Sequence, residues 1–387
     1  MTRTISQKVK LGDVADVIDS LHQTPGYSSI GYPMVRVTDI KPGYLKIETC
    51  LKVCEEVYLQ FSNKHKPGPG DIVFSRVGSE GITSLVKSGQ SFCLGQNTAF
   101  IIPRNKNNYL YYWLNSPLGK HEIITKTTGA SQRTISLESI KGLELELLPL
   151  SMQNTTSSIL TTYDDLIENN ENRIKVLEEM AQLLYTRWFV NFKFPSHEKV
   201  KMIGSGTKFG TIPEGWEVKR LEDIADVKWG DTSTTKQAYV FDGYDAYSAS
   251  GLDGKLDHFD YTQDGIVLSA IGANCGLTWL AKGKWSCIKN TIRILEKDSD
   301  VNIEYLFLLT SRPNYWRRRG AAQPFLSQTE ANMYPVLKPI TSILKCFNAL
   351  IKPLYNEIYY LNKANENLRF TRDLLISQLV TGKREIK

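Results

Sequence analysis

The sequence predicts an α+β chain built from two similar β-rich units, each followed by a long helix, with the two helices pairing as an antiparallel coiled coil. Three observations predict this architecture. Short segments of the first half return in the same order in the second half, each half contains the alternating β-branched and aromatic runs of short strands, and each half ends in a stretch with helical spacing. With 387 residues, 41% of them hydrophobic, the chain can form two or three cores.

The repeat begins at Lys10–Val17 (KLGDVADV), which returns as Arg220–Val227 (RLEDIADV). Five further pairs of blocks follow in order: Ile72–Gly78 with Ile266–Gly272, Gly81–Thr83 with Gly276–Thr278, Asn97–Thr98 with Asn290–Thr291, Ser116–Pro117 with Arg312–Pro313, and Gly129–Gln132 with Gly320–Gln323. The offset of roughly 190 to 210 residues is far longer than a solenoid repeat, so each copy is a domain-sized unit.

The strands are expected in residues 70–103 and again in 264–296, where apolar β-branched runs alternate with glycine-rich turns. After Pro149 the period changes, and apolar residues recur three and four apart from Ile159 to Trp188. The Ser- and Thr-rich stretch 154–162 has poor helix propensity, so the sequence leaves the start of this helix open.

The second helical stretch keeps a heptad pattern from Phe347 to Leu379, and Pro353 either bends it or marks its true start. Asn170 and Asn365 fall at seam positions, where a buried amide can fix the register of two helices. The alternative is that each helix packs only on its own unit. We expect the pairing residues to be Leu166, Asn170, Leu177, Leu184, Ile358, Leu361, Asn365, Leu368 and Leu375.

These patterns divide the chain into five parts. A polar, glycine-rich linker separates the two copies. The expected boundaries are 1–150 for the first unit, 151–194 for the central helix, 195–212 for the linker, 213–340 for the second unit and 341–387 for the C-terminal helix.

Composition favours a soluble, cytoplasmic protein, because no apolar run approaches about 18 residues and the first residues lack a signal-peptide pattern. The net charge of +6 is mild, so a nucleic-acid binder of this composition must concentrate its positive charge locally. The six cysteines form no CxxC pair, which favours reduced structural thiols over a metal site.

Motifs of catalysis are missing from the sequence. It contains no phosphate-binding loop, no HExxH zinc motif, no GxSxG nucleophile turn, no base-flipping tetrapeptide of amino-methyltransferases and no plausible loop for S-adenosylmethionine. Since a duplicated enzyme should duplicate its catalytic set, we expect no catalytic residue, no metal ligand and no cofactor in this chain. The duplicated part is expected to serve recognition.

Arginine, lysine and glutamine side chains at repeated places are the candidates for recognition. Arg and Gln make bidentate hydrogen bonds to guanine and adenine edges, and a Trp-Arg-Arg-Arg run suits phosphate and base contacts together. In the first unit the candidates are Arg36, Arg76, Lys126, Ser131, Gln132 and Arg133; in the second they are Lys289, Arg293, Trp316, Arg317, Arg318, Arg319 and Gln323.

Four segments together resemble a known family: Trp216–Val227, Gly70–Gly78 with its partner Asp264–Gly272, Met180–Phe192 at the end of the central helix, and Asn367–Gly382 at the end of the second. The chain resembles the specificity subunits of type I restriction-modification systems over essentially its whole length. It departs from them at 154–158, where the family usually has Glu- and Gln-rich sequence.

The resemblance implies two target recognition domains, each reading one half of a bipartite asymmetric double-stranded DNA site, held apart by two antiparallel helices. It also implies docking of two adenine methyltransferase subunits that bind S-adenosylmethionine, and of ATP- and Mg-dependent translocase-nuclease subunits. Two alternatives remain: a stand-alone nuclease with an unrecognised metal site, and a coiled-coil adaptor between proteins. Metal-dependent activity of the pure chain would favour the first, and lack of DNA preference in the assembled complex the second.

Overall fold

The computed structural model describes residues 7–78, 81–87, 89–129, 133–297, 301–320 and 322–381. They form two compact units, the first comprising Met1–Glu171 with Lys363–Lys387 and the second Asn172–Asn362. Each unit therefore contains part of both long helices, which run from Leu150 to Tyr185 (α6) and from Thr341 to Leu379 (α10).

The first unit contains nine strands and five further helices among its described residues. The strands are β1 Gln7–Lys10, β2 Ala15–Asp19, β3 Tyr32–Val35, β4 Lys52–Val53, β5 Ile72–Ser75, β6 Thr83–Leu85, β7 Cys93–Leu94, β8 Thr98–Pro103 and β9 Glu144–Leu147. The helices are α1 Leu11–Val14, α2 Glu55–Phe61, α3 Tyr109–Asn115, α4 Pro117–Lys126 and α5 Leu137–Lys141, with a 3-10 turn at Val37–Asp39.

A four-stranded antiparallel sheet in the order β2-β8-β5-β6 forms the centre of the first unit. A second sheet has the order β4-β3-β7, with β3 and β7 parallel, and β1 pairs with β9. Strand β5 is buried on both faces, because Ile72 and Phe74 point into one apolar cluster and Val73 into another.

The second unit repeats this plan. Its strands are β10 Met202–Gly204, β11 Thr211–Pro213, β12 Glu217–Arg220, β13 Ala225–Trp229, β14 Tyr244–Ser248, β15 Gly251–Leu256, β16 Gly265–Ser269, β17 Thr278–Ala281, β18 Trp285–Cys287, β19 Thr291–Glu296 and β20 Pro335–Lys338. Its helices are α7 Leu221–Ile224, α8 Ile303–Thr310 and α9 Gln328–Asn332, with 3-10 turns at His197–Lys199 and Lys236–Ala238 and a π-helical turn at Thr186–Val190.

Three of the four sheets described in the second unit, β13-β19-β16-β17, β15-β14-β18 and β12-β20, match those of the first unit strand for strand, and the fourth is the pair β10-β11. Strand β16, like β5, is buried on both faces, since Ile266 and Leu268 point into one apolar cluster and Val267 into another. Arg76 N donates to Asn97 O at 2.8 Å, and Ala270 N donates to Asn290 O at 3.0 Å. The structure thus confirms the duplication.

The long helix α6 begins at Leu150, so the Ser- and Thr-rich stretch lies inside it. Helix α10 runs through Pro353 rather than beginning there. The segment expected to be a linker contains a hairpin of β10 and β11, whose strands of three residues each are too short to give an apolar alternation in the sequence. No described helix has the length and apolar character needed to span a membrane.

The two long helices are antiparallel within each unit. In the first unit, Asn170 Nδ2 donates to Asn365 Oδ1 at 2.8 Å, and Arg372 Nη1 pairs with Asp164 Oδ1 at 2.5 Å. In the second, Arg173 pairs with Glu357 at 2.6 Å, and the ring centroids of Tyr185 and Phe347 lie 6.5 Å apart. Residue numbers rise along one helix as they fall along the other, so the predicted antiparallel pairing is confirmed.

One pairing residue was wrong. Leu166 is 45% exposed, whereas Leu160, Asp164 and Ile167 are buried. The buried face of α6 includes polar side chains such as Asp164. A heptad pattern that counts only apolar residues therefore selected Leu166 instead of the adjacent Ile167. Of the other expected pairing residues, Ile358, Leu361 and Asn365 are buried, and Asn170, Leu177, Leu184, Leu368 and Leu375 are half-buried.

The Asp164–Arg372 pair should be important for the stability of the first unit. The Asp164 side chain is only 5% exposed and that of Arg372 15%, so replacing Arg372 by alanine leaves a buried carboxylate without its cation. We expect Arg372→Ala to lower the free energy of unfolding by about 3–5 kcal/mol. Arg369→Ala, which removes the exposed pair with Glu171, should cost less than about 1 kcal/mol. Urea unfolding of both variants measures this, and equal losses would contradict the assignment.

Candidate nucleic-acid interface

Gly129 and Arg133 are the described ends of the first loop, and residues 130–132 between them lie outside the described residues. Thr128 and Thr134 exchange two backbone hydrogen bonds of 2.8 Å at its base. Gly78 N donates to Arg133 O at 3.1 Å, and Ile135 N donates to Arg76 O at 3.0 Å. These bonds fix the base of the loop against the end of β5 and leave Arg133 exposed.

The second unit has a loop with the same backbone bonds. Arg319 and Phe325 exchange hydrogen bonds of 3.0 and 2.8 Å, Gly272 N donates to Pro324 O at 2.9 Å, and Leu326 N donates to Ala270 O at 2.9 Å. The two segments that the sequence repeat aligned therefore occupy equivalent places in their own units. The residues at the base of the two loops differ, since Thr128 and Arg133 stand where the second unit has Arg319 and Pro324, which allows each loop to contact a different ligand.

Glycine is required at the start of the second loop. Gly320 has a φ of +78°, and a Cβ there would lie 2.7 Å from the backbone oxygen of Gln323. Gly129, at the equivalent place, has a φ of +104°. Only glycine adopts such angles without strain, so the backbone itself fixes the shape of both loops.

Hydrogen bonds tie the second loop to α9. Ser327, the N-cap of α9, donates from its backbone and hydroxyl to Glu330, and Arg319 pairs with the same carboxylate. The bonds from Ser327, followed by the charge of Arg319, hold the pKa of Glu330 below its usual value. Glu330 is therefore ionised at neutral pH and holds the Arg319 end of the loop.

The first-unit candidates lie in different settings. Arg36 makes a bidentate pair with Asp39 at 3.0 Å, and Lys126 pairs with Glu122 at 3.7 Å just before the loop. Arg76 pairs with Asp19 at 2.5 Å and donates to Ile135 O, so it braces the base of the loop. Arg133 alone of these four lies in the loop, while the other predicted loop residues, Ser131 and Gln132, are outside the described residues.

In the second unit the structure brings the exposed side chains of Arg317, Arg318, Arg319 and Gln323 together on one loop. Lys289 is exposed on a separate turn, where its N–H donates to Thr234 O at 3.2 Å. That turn matches residues 95–97 of the first unit, since Asn290 and Asn97 both adopt left-handed φ angles of 71° and 61°.

Trp316 does not belong to the exposed cluster. It is 4% exposed and packs against Tyr315 and Tyr334, with ring centroids 4.9 and 4.8 Å away. The sequence pattern grouped Trp316 with the three arginines that follow it. In the structure the apolar indole ring points into the core of the second unit, while the charged side chains point to solvent. Trp316 supports the arginines and presents no free face for a base.

Arg293 is also a structural residue. It lies on β19, the second strand of the sheet order, with a side chain 9% exposed, and pairs with Asp226 at 2.9 Å. Its guanidinium stands 5.3 Å from the centre of the Tyr261 ring. A buried arginine must be paired, and this pairing occupies the side chain that was expected to contact DNA.

Comparison with known proteins decides the family. The sequence model of the type I restriction modification DNA specificity domain matches residues 6–179 and again 213–359. The chain belongs to this family.

Relatives of this specificity family cover most of the chain. The MjaIX specificity subunit of Methanocaldococcus jannaschii is 23% identical over 313 residues, 74% of this chain and 72% of its own. The HindI specificity subunit of Haemophilus influenzae is 21% identical over 396 residues, 82% of this chain and 84% of its own. A solved S subunit from M. genitalium covers 100% of this chain and 98% of its own with a TM-score of 0.61 at 14% identity, which shows a shared fold.

The two matches to the specificity family each contain one copy of the internal repeat and thus one of the two equivalent loops. Sequence reasoning missed one cation beside the second loop, Lys208, because it lies in the segment interpreted as a linker. The only signal in the sequence was the adjacent Phe209, an aromatic residue in a polar stretch.

Arg293 and Arg317 should respond differently to substitution in this specificity subunit. Arg293→Met removes charged hydrogen bonds to Asp226 and should lower the free energy of unfolding by about 1.5–3 kcal/mol. Arg317→Ala changes an exposed side chain and should stay within about 0.5 kcal/mol. Thermal unfolding of the two variants tests the distinction, and a stable Arg293→Met would return that residue to the candidate interface.

Proposed function

We propose that this chain recognises DNA sequence as the specificity subunit of a type I restriction-modification system, each unit reading one half of a bipartite asymmetric site. The observation that carries the proposal is the pair of loops that are held by the same backbone bonds but differ at their bases, where Thr128 and Arg133 correspond to Arg319 and Pro324. Two loops with the same backbone hydrogen bonds but different residues suit a DNA site with two unlike halves.

The side chains of the loops suit contacts to both bases and phosphates. In the second unit, Arg319 and Gln323 flank the tightly held turn, and Arg and Gln are the residues that recognise guanine and adenine edges. In the first unit, Arg133 occupies the corresponding loop. Arg317 precedes the turn and suits a phosphate contact, which positions the protein without reading sequence.

Methylation and cleavage, in this proposal, belong to partner subunits. Two adenine methyltransferase subunits would supply S-adenosylmethionine, and translocase-nuclease subunits would supply ATP and Mg, as the family resemblance implies. Within the described residues no group of His, Cys, Asp and Glu is arranged to hold a metal ion. Such a complex would work in the cytoplasm.

The outer faces of the long helices offer surface for these partners. In the first unit Leu166, Phe370 and Leu374 are exposed, and in the second unit Met180 and Leu183 are exposed. Large apolar side chains grouped on an exposed helix face commonly mark protein contacts. The residue that failed as a pairing position, Leu166, fits this second role.

The purified chain should neither methylate nor cleave DNA, because both reactions need a cofactor or metal site and the sequence contains no recognised motif for either. Adding the partner methyltransferase should produce adenine methylation that depends on this chain. Transfer of labelled methyl groups from S-adenosylmethionine to DNA measures both. Methylation or metal-dependent cleavage by the chain alone would contradict the proposed division of labour.

Loop substitutions should change one half-site at a time. Arg319→Ala or Gln323→Ala, if the side chain contacts a base, should cost about 1–3 kcal/mol and relax one position. Arg317→Ala should weaken binding to all sequences and reduce the slope of binding against salt by about one. In the first unit, Arg133→Ala should affect only the other half-site.

Binding of the assembled complex to duplexes carrying every single-base change measures these effects. Arg173→Ala is a matched control, since it removes an exposed arginine that pairs with Glu357 on the long helices. If all three second-loop variants match this control in affinity, salt slope and base preference, the loop is not the interface.

A further inference from the structure

A group of cations lies beside the second loop. Lys208 lies between β10 and β11, Arg312 follows α8, and Arg317 begins the arginine run; all three are exposed. Across the described ranges of the chain, none of the three forms an ion pair with a carboxylate. Arg319, by contrast, is held by Glu330.

Aromatic rings hold Lys208 at this place. Its Nζ stands 5.0 Å from the ring centre of Tyr334, 5.5 Å from Phe209 and 5.9 Å from Tyr315. The hydroxyl of Tyr334 accepts a hydrogen bond of 2.8 Å from Arg317 N and donates to Tyr315 O. One ring therefore positions both the lysine and the start of the arginine run, so the hairpin is fixed beside the loop.

Arg312 meets the same aromatic group, since Tyr315 N donates to Arg312 O at 3.1 Å while Lys208 stands over the Tyr315 ring. Partial burial, followed by the charges of Arg317 and Arg312, lowers the pKa of Lys208. Burial raises the pKa of Tyr315, and the nearby Arg312 opposes that shift. Like charges brought together in this way repel, and an anion bound among them relieves the repulsion.

The first unit lacks this arrangement. The repeated backbone bonds align Thr128 with Arg319, so Lys126 stands where the second unit has Arg317, and Lys126 is paired with Glu122. The repeat likewise places Ser116 opposite Arg312. The cation cluster is thus a property of the second unit alone, within the described residues.

We propose that Lys208, Arg312 and Arg317 form a binding site for phosphates of the DNA backbone, next to the second recognition loop and indifferent to base sequence. This inference rests on the proposed function. A duplex carries closely spaced phosphates along each strand, which suits several cations on one surface. The hairpin between the two repeats then contributes directly to DNA binding.

Salt dependence of binding tests the site. The full chain, assembled with its partner subunits, is titrated against its target duplex and a random-sequence duplex at several salt concentrations. Lys208→Gln and Arg312→Gln should each reduce the salt slope by about one and weaken binding to both duplexes to a similar extent. Lys208→Arg keeps the charge and the ring contact and should restore the parent slope.

Lys201→Gln is the matched control, because it removes the same charge from the same stretch of chain at a lysine without a ring contact in the described structure. Its slope should equal that of the parent. Equal loss for Lys201→Gln and Lys208→Gln would mean that general charge, not a built site, governs binding.

Two other results would overturn the site. If Lys208→Gln leaves the salt slope unchanged for both duplexes, the cluster binds no DNA phosphate. If Lys208→Gln weakens only assembly with the partner subunits, the cluster binds an acidic protein surface. In both cases the complex still prefers its target, so the proposed function stands. If the parent complex prefers no DNA sequence, the proposed function fails and this site fails with it.

Discussion

The first unit of this protein depends on a buried polar contact between helices that come from distant parts of the sequence. In the first unit Arg372 pairs with Asp164, and the Tyr112 hydroxyl donates to the same carboxylate at 2.7 Å. A slide of one helical turn moves a helix about 5.4 Å and leaves this carboxylate unpaired in an apolar setting. The pair of Asn170 and Asn365 adds the same constraint, because a buried amide must also find its partner. The register of the helices, and with it the core that contains Leu160 and Leu379, is fixed by polar groups.

The duplication explains how the two units hold equivalent loops. Backbone bonds at the base of the loops repeat bond for bond, from Gly78 and Gly272 through Ile135 and Leu326. Backbone bonds do not depend on side-chain identity, so the loop residues can change without loss of the frame. Arg76 braces the first loop through Asp19, whereas alanine stands in its place in the second unit and Glu330 holds Arg319 instead. The two loops therefore share their backbone hydrogen bonds, whereas the ion pairs that hold each loop differ.

Much of this was visible in the sequence, for physical reasons. The strands and the long helices follow from apolar periodicity, which burial imposes directly, and the repeat follows from similar blocks that return in the same order. The predicted buried face of α6 was wrong by one residue, because Asp164 and other polar groups lie within the true buried face. Burial also separated Trp316 and Arg293 from the exposed arginines, and sequence cannot distinguish a paired arginine from a free one when the partner, Asp226, is distant along the chain. Lys208 was missed for the same reason, since its ring partner Tyr334 lies in a different part of the sequence.

The most direct measurement is a map of methylated adenines in a host that carries the partner methyltransferase, with and without this chain. The account predicts a methylated motif that appears only with the chain and consists of two short, unlike specified sequences separated by unspecified bases. A map that is the same with and without the chain, or a motif that is continuous or symmetric, would contradict the conclusion that two equivalent but different loops each read one half of a DNA site.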